Sequence, residues 1–318
     1  MERLLKISPG DALDESKSEP DAAEYGTLLH AILQDITTRF DKADGGTDCA
    51  SLTEAVTAYA HECTCSHVAT QYGDESGTLP IPIRILQRNL QKTVQEFAQQ
   101  HAQELCNGWE VILREEQLCF QLPAEDGSAP LLFDMRVDRV DRHRIDGRMR
   151  VIDYKTNDSN PRTTHWEKLS PDAAALYEAY MPAAMTLQNE KADRFRWASV
   201  QLPLYAEGLR QIYELKELPE TAFYNMPRTK PGTVVYSPMG GMSSKATMTP
   251  ELHDQAMACV QSAAALMRAG KCLYSAESLG RSMPYSNFGA LSIYKDPDPR
   301  ILCNLPPLSI PRPEIINQ

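Results

Sequence analysis

The spacing of apolar residues changes period once along this chain, and that change limits the folds open to it. Before Trp109 the apolar positions repeat at helical intervals; beyond it they alternate. Leu29, Leu33, Ile36 and Phe40 share one face of a helix expected over 26–40, and Gly45-Gly46 then breaks the chain. A second helix is expected over 51–63, with Ser51 as N-cap and Glu54 completing a capping box. A third, long helix is expected near 83–106. Past Trp109, segments 110–122, 131–141 and 148–156 read as strands, with Asp146-Gly147 supplying the turn before the last. A helix over 200–213, strands over 221–226 and 233–236, and a helix over 250–269 that stops at Gly270 follow. This order predicts an α/β protein: a central mixed β-sheet flanked by helices, with a helical N-terminal region.

We expect a lead-in over 1–24, a single domain over 25–295 and a proline-rich tail over 296–318. Within the domain, 25–108 is the helical part and 109–295 the α/β core. Residues 157–193 read as a long irregular insert, with a short helix near 171–180; stretches of that length are often lids.

The 318 residues are 42% hydrophobic and 24% charged, which excludes disordered and fibrous classes. No apolar run approaches the ~18–20 residues of a membrane span, so no membrane partner is expected. The opening Met-Glu-Arg-Leu-Leu-Lys has no signal-peptide pattern. The eight cysteines are scattered and fit a reducing compartment, so a cytoplasmic location is expected. Cys63 and Cys65 near His61 and His67 match no common zinc spacing. The net charge of -11 argues at first against a nucleic-acid binder, but it is unevenly placed. Residues 1–130 hold 9 Lys and Arg against 22 Asp and Glu, whereas 131–318 hold 23 against 21. Chemistry on a polyanion therefore belongs to the second part.

That part contains the strand Leu131-Leu-Phe-Asp-Met-Arg-Val-Asp138. Alternation puts Leu131, Phe133, Met135 and Val137 on an apolar face and Asp134, Arg136 and Asp138 on the other. In Val151-Ile-Asp153-Tyr-Lys155, Asp153 and Lys155 project to the same side. Antiparallel pairing of the two strands can bring Asp138 beside that pair. Two carboxylates and a lysine on one sheet face suit metal-dependent phosphodiester hydrolysis: oxygen ligands hold Mg²⁺ or Mn²⁺, and the lysine stabilises charge on the phosphate. Taken alone, Asp153 and Lys155 read more simply as an exposed ion pair. His30 alone reads as a surface histidine, and Gln201 with Tyr205 as a polar edge and a core aromatic.

The order of the pieces weighs against those simpler readings. Gly26-Thr-Leu-Leu-His30, then Arg136-Val-Asp-Arg-Val-Asp141, then Val151-Ile-Asp-Tyr-Lys-Thr156, then Gln201-Leu-Pro-Leu-Tyr205 resembles the RecB-type nucleases of the PD-(D/E)XK superfamily. The likeness is nearest to the C-terminal nuclease domain of AddB-type helicase–nuclease subunits. It spans about 24–215, with weaker similarity at Tyr285-Ser-Asn-Phe288. The resemblance implies a restriction-endonuclease-like core. It implies that His30, Asp138, Asp153 and the Tyr154 backbone carbonyl hold the metal, that Lys155 is the catalytic lysine, and that Gln201 and Tyr205 position the DNA strand and the site. Glu116 is an additional candidate on the preceding strand.

The implied activity is a Mg²⁺-dependent DNA exonuclease acting on single strands or duplex ends in DNA repair or recombination. Met135 stands where such families have glycine. AddB-type domains often carry an iron–sulfur cluster, but Cys259, Cys272 and Cys303 have the wrong spacing, so no cluster is expected. A phosphate-binding Gly-x-x-x-x-Gly-Lys-Ser/Thr loop is also missing, so no helicase motor is expected within this chain: it reads as a freestanding nuclease or a piece separated from a fused motor, with a helicase subunit as a candidate partner. Arg136, Arg139, Arg142, Arg144, Arg148 and Arg150 crowd the two strands; some are expected on phosphate and others against the aspartates. Trp166 and Trp197 read as core before they read as base-stacking platforms. Two alternatives remain: a non-catalytic DNA-binding or scaffold domain of a helicase–nuclease complex, and a CRISPR-adaptation-type nuclease, whose cysteine quartet this chain lacks.

Overall fold

In a computed structural model the described residues are 20–44, 46–73, 77–124, 127–158, 165–189, 191–239, 248–269, 271–272 and 303–304. The lead-in up to residue 19, Gly270, the segment around Tyr285-Ser-Asn-Phe288 and most of the proline-rich tail lie outside them.

Three helices come first. Helix α1 (Ala22–Arg39) starts four residues before the periodicity predicts. Asp21 accepts from the Ala23 and Glu24 amides, and the Glu24 carboxylate accepts from the Asp21 amide, a reciprocal capping box. Helix α2 (Cys49–Tyr72) corrects the second expectation. Its N-cap is Asp48, whose carboxylate takes both the backbone N–H and the hydroxyl of Ser51 at 2.9 Å. Ser51 is therefore inside the helix, and the helix runs nine residues past Cys63. Helix α3 (Ile81–Cys106) packs along α2. A disulfide joins Cys49 at the start of α2 to Cys106 at the end of α3, with Cα atoms 6.0 Å apart. This departs from the expectation of scattered, reduced cysteines: the pair is 57 residues apart in sequence. The zinc-like group separates, since Cys65 faces His61 and Gln91, Cys63 is buried, and His67 pairs with Asp35.

The strands β1 (Trp109–Leu122), β2 (Leu131–His143) and β3 (Met149–Lys155) form an antiparallel meander. An insert follows. It contains β4 (Trp166–Lys168), α4 (Pro171–Tyr180), β5 (Thr186–Gln188) and β6 (Arg194–Trp197). The short helix was expected; the small antiparallel sheet, in the order β4-β6-β5, was not. Trp166 and Trp197 lie opposite each other on β4 and β6, ring centroids 5.6 Å apart, packed against the apolar cluster that includes Val151 and Phe223. Helix α5 (Gln201–Ile212) then leads into β7 (Glu220–Asn225), which pairs parallel with β3, as a helical crossover requires. The strand β8 (Val235–Pro238) closes a five-stranded mixed sheet in the order β1-β2-β3-β7-β8, and α6 (Pro250–Arg268) follows. The two-residue strands β9 (Lys271–Cys272) and β10 (Cys303–Asn304) pair antiparallel.

The helices sandwich the sheet. On one face Ile152, Tyr154, Ala222 and Tyr224 join the core built by α1, α2 and α3. On the other, Val140, Val151 and Phe223 meet Leu202, Tyr205 and Leu209 of α5. Six of the seven residues of β3 are buried, so the strand that carries Asp153 and Lys155 is packed on both faces. Helix α5 comes close to β1: a Cβ added at Gly208 would lie 2.8 Å from the Phe120 ring. Between sheet and α3 sits a buried charge group. Asp141, fully buried, accepts from Arg139 at 2.6 Å and Arg150 at 2.9 Å, and Arg150 also pairs with Glu104. Among the described residues, no helix is long and apolar enough to cross a membrane.

Candidate active site

The β2–β3 ladder ends at the pair Arg139↔Ile152. Just beyond it, Asp138 turns its carboxylate into the opening and accepts the Tyr154 backbone N–H at 2.7 Å. Alternation along β2 breaks at this point. Val137 and Val140, three apart, both lie in the core under α5, while Arg139 and Asp141 face α3. The break frees Asp138 to stand at the mouth of the sheet.

Four elements supply the remaining side chains. Leu29 and Leu33 anchor α1 in the core, and His30 on the edge of that face lies with its ring edge-on to Tyr154, centroids 5.5 Å apart. Its Nδ1 is 3.9 Å from Asp138 Oδ1 and 2.9 Å from Glu115 Oε1. On β3, the Lys155 ammonium pairs with Asp153 Oδ2 at 2.7 Å and lies over the Phe223 ring at 5.7 Å. It also donates to Gln201 Oε1 at 3.3 Å. Gln201 Nε2 donates to the Tyr205 hydroxyl at 2.8 Å, and that hydroxyl donates to the Arg136 carbonyl at 2.6 Å. One turn of α5 thereby ties Lys155 to β2. The structure thus brings His30, Asp138, Asp153, Tyr154, Lys155, Gln201 and Tyr205 to one place, although they span 175 positions between His30 and Tyr205.

Glu115 completes the cluster, and the sequence reading named its neighbour instead. Glu116 is exposed and lies opposite Val137. Glu115 has a left-handed backbone, φ 47°, unusual for a residue with a side chain and costing roughly 1–2 kcal/mol. The β1–β2 register also shifts between Val111 and Leu113. The ladder sets Arg114 opposite Arg139 and Glu116 opposite Val137, so Glu115 lies across from Asp138 between them. His30, Glu115 and Asp138 each offer a ligand atom, and these atoms lie within 4.8 Å of one another.

The electrostatics show a site short of positive charge. Burial pushes Asp138 up to about 7; the neighbouring Asp153 adds to this, and His30 and the Tyr154 amide oppose it. Asp153, 2% exposed, is raised by burial despite the Lys155 ammonium beside it. For His30, burial works against the proton, but the Glu115 hydrogen bond and the charges of Asp138, Glu115 and Asp153 outweigh it, and its pKa is raised. The His30 imidazole and the Asp138 and Asp153 carboxylates, each favouring its protonated form, suit a hard divalent cation that would replace those protons. A cleft of about 400 Å³ opens beside the cluster between Gly26, Thr27, His30 and Gln34 on α1 and Glu115 and Arg136 on the sheet.

The arginines divide. Arg139 and Arg150 are buried against Asp141, Arg142 pairs with Glu110, and Arg148 with Asp146 and Glu220. Arg144 donates to the Ala43 carbonyl. Arg136 alone of the six lines the cleft. Met135 pairs with Leu118 and lies half-buried against the core under α5, so the position tolerates a side chain.

No curated protein gives a significant match to this chain. The family model of the PD-(D/E)XK nuclease superfamily matches residues 1–278, a stretch that takes in α1 to α6 and every side chain of the cluster. With a mixed sheet of restriction-endonuclease-like order beneath that cluster, the chain belongs to the PD-(D/E)XK nuclease superfamily.

Proposed function

We propose that this protein is a Mg²⁺- or Mn²⁺-dependent DNA exonuclease of RecB/AddB-like type, acting on single strands or duplex ends in DNA repair or recombination. The observation that carries this reading is the close approach of the His30, Glu115 and Asp138 donors beside the Asp153–Lys155 pair. His30, Asp138, Asp153 and the Tyr154 carbonyl would hold the cation, with Glu115 as a further ligand. When bound, the divalent ion lowers the pKa of a coordinated water and offsets charge on the phosphate.

The chain's own groups do the rest. Asp153 fixes the Lys155 ammonium, and Gln201 sets its direction through the Tyr205 hydroxyl. Lys155 donates hydrogen bonds to the negative charge that builds on the phosphoryl oxygens. Tyr205, anchored on the Arg136 carbonyl, keeps α5 in register with β2. The chemistry reads the sugar–phosphate backbone, so cleavage is expected to be independent of base sequence. A helicase partner would supply unwound strand.

Cleavage of end-labelled single-stranded and duplex oligonucleotides tests the reading. Mononucleotides or short fragments should appear with Mg²⁺ or Mn²⁺, cease with a chelator, and return when Mn²⁺ is restored. No cleavage of either substrate with any divalent ion, with DNA still bound, would favour the scaffold reading instead.

A further inference from the structure

We propose that Arg136 is the residue that grips a substrate phosphate in the cleft between α1 and the sheet. The inference rests on the nuclease reading and names the group that holds the strand.

The cleft beside the cluster is bordered by Glu115, with Asp138 and Asp153 behind it. Those carboxylates repel a polyanion, so a strand entering there needs a fixed cation at the mouth. Lys155 gives two of its three N–H donors to Asp153 and Gln201 and keeps one for the reacting phosphate, so it does not also hold the incoming strand. Arg136 sits at the mouth with its side chain 62% exposed. Its Nε–H is held on one edge by Glu115, 3.1 Å from the carboxylate Oε2 and 3.1 Å from the backbone carbonyl. The guanidinium is planar, so anchoring Nε sets the direction of the opposite edge. Among the described residues, the side-chain hydrogen bond of Arg136 runs through Nε and neither terminal nitrogen makes one. That edge presents two parallel N–H donors, the geometry that takes two oxygens of one phosphate.

The backbone of the same residue accepts the Tyr205 hydroxyl. Arg136 is therefore joined to His30 through Glu115 and to Lys155 through Tyr205 and Gln201. A phosphate held on its free edge would sit at a set distance from both halves of the site. The other five arginines of β2, β3 and the turn between them have their side chains turned to Asp141, Glu110, Asp146, Glu220 or a backbone carbonyl.

The test is equilibrium binding of a fluorescent single-stranded oligonucleotide across a salt series, with Ca²⁺ in place of Mg²⁺ to block turnover. Steady-state cleavage with Mg²⁺ accompanies it. Arg136→Ala should weaken binding about ten-fold and flatten the slope of log affinity against log salt by ~0.7, the loss of one phosphate contact on a single strand. KM should rise, with kcat within ~3-fold. Arg136→Lys should restore the slope and part of the affinity, since it keeps the charge and loses the fork. Arg142→Ala should match wild type. Thermal melting without DNA should be unchanged for all three, because Arg136 and Arg142 are exposed.

The assignment is overturned if Arg136→Ala binds with wild-type affinity and slope, if its loss appears in kcat alone, or if Arg142→Ala loses as much. Those results would leave the nuclease reading standing. A wild-type protein that neither binds nor cleaves DNA would overturn both.

Discussion

Asp138→Asn should abolish metal-dependent cleavage and at the same time make the metal-free protein more stable. The loss of activity, by about a thousand-fold or more, follows from removing a carboxylate that faces both His30 and the site of charge development. The gain in stability follows from the direction of its titration. In the unfolded chain Asp138 ionises near the ordinary carboxyl value of 3.8; in the folded protein burial and Asp153 hold it at about 7. Below about pH 4 both states are protonated and nothing is lost. As pH rises toward 7 the unfolded chain sheds the proton first, and the fold is destabilised by an amount that is complete above pH 7. Asparagine keeps a carbonyl oxygen for the Tyr154 N–H and carries no charge. Thermal melts without divalent ion should coincide near pH 4 and differ by roughly 5 °C or more at pH 8, in favour of Asp138→Asn, for a penalty of a few kcal/mol. Divalent ions should raise the wild-type melting temperature at pH 8 and leave the asparagine variant nearly unmoved. Equal melting curves at pH 8 would mean that Asp138 carries no such penalty.

Lys155→Ala is expected to lose about a thousand-fold in single-turnover cleavage, but for a different reason. The ammonium is 2.7 Å from Asp153, which is 2% exposed, so its removal strands a buried carboxylate. The Asp153 pKa should rise further, and divalent binding at neutral pH should weaken and then recover as pH is raised. Cleavage should not recover with it. Calorimetric titration of Mn²⁺ at two pH values, beside cleavage under the same conditions, separates the two effects. Lys155→Arg keeps a charge for Asp153 and should restore metal binding more than cleavage. Activity of Lys155→Ala within ten-fold of wild type would remove the lysine from the mechanism.

Much of this site is legible in the sequence because strand geometry is regular where the chemistry sits. Asp153 and Lys155 are two apart on a strand whose pairing with β7 runs through both, so they share a face. Gln201 and Tyr205 are one helical turn apart, and their hydrogen bond follows from that spacing. His30 was placed by its order before the strands, since nothing local marks a helix histidine as facing a sheet end. Glu115 was not legible. Its place across from Asp138 depends on the register between β1 and β2, which neither strand's own sequence contains.

Elsewhere the misses have local causes. Asp48 and Ser51 both suit an N-cap, and in the structure the aspartate takes the serine's own donors. The Cys49–Cys106 bridge depends on how α2 and α3 align, which helical periodicity does not contain. The sheet of β4, β5 and β6 consists of strands of three or four residues, shorter than the stretch over which alternation can be read.

The central claim is that one cation is held where α1, β1 and β2 meet. Anomalous diffraction from crystals grown with Mn²⁺ tests it most directly. The account predicts a single strong peak ~2.0–2.6 Å from a ring nitrogen of His30 and a carboxylate oxygen of Asp138, with Asp153 or Glu115 completing the shell. A Mn²⁺ peak elsewhere on the chain, or none at millimolar Mn²⁺ with His30 and Asp138 as close as they are here, would contradict it.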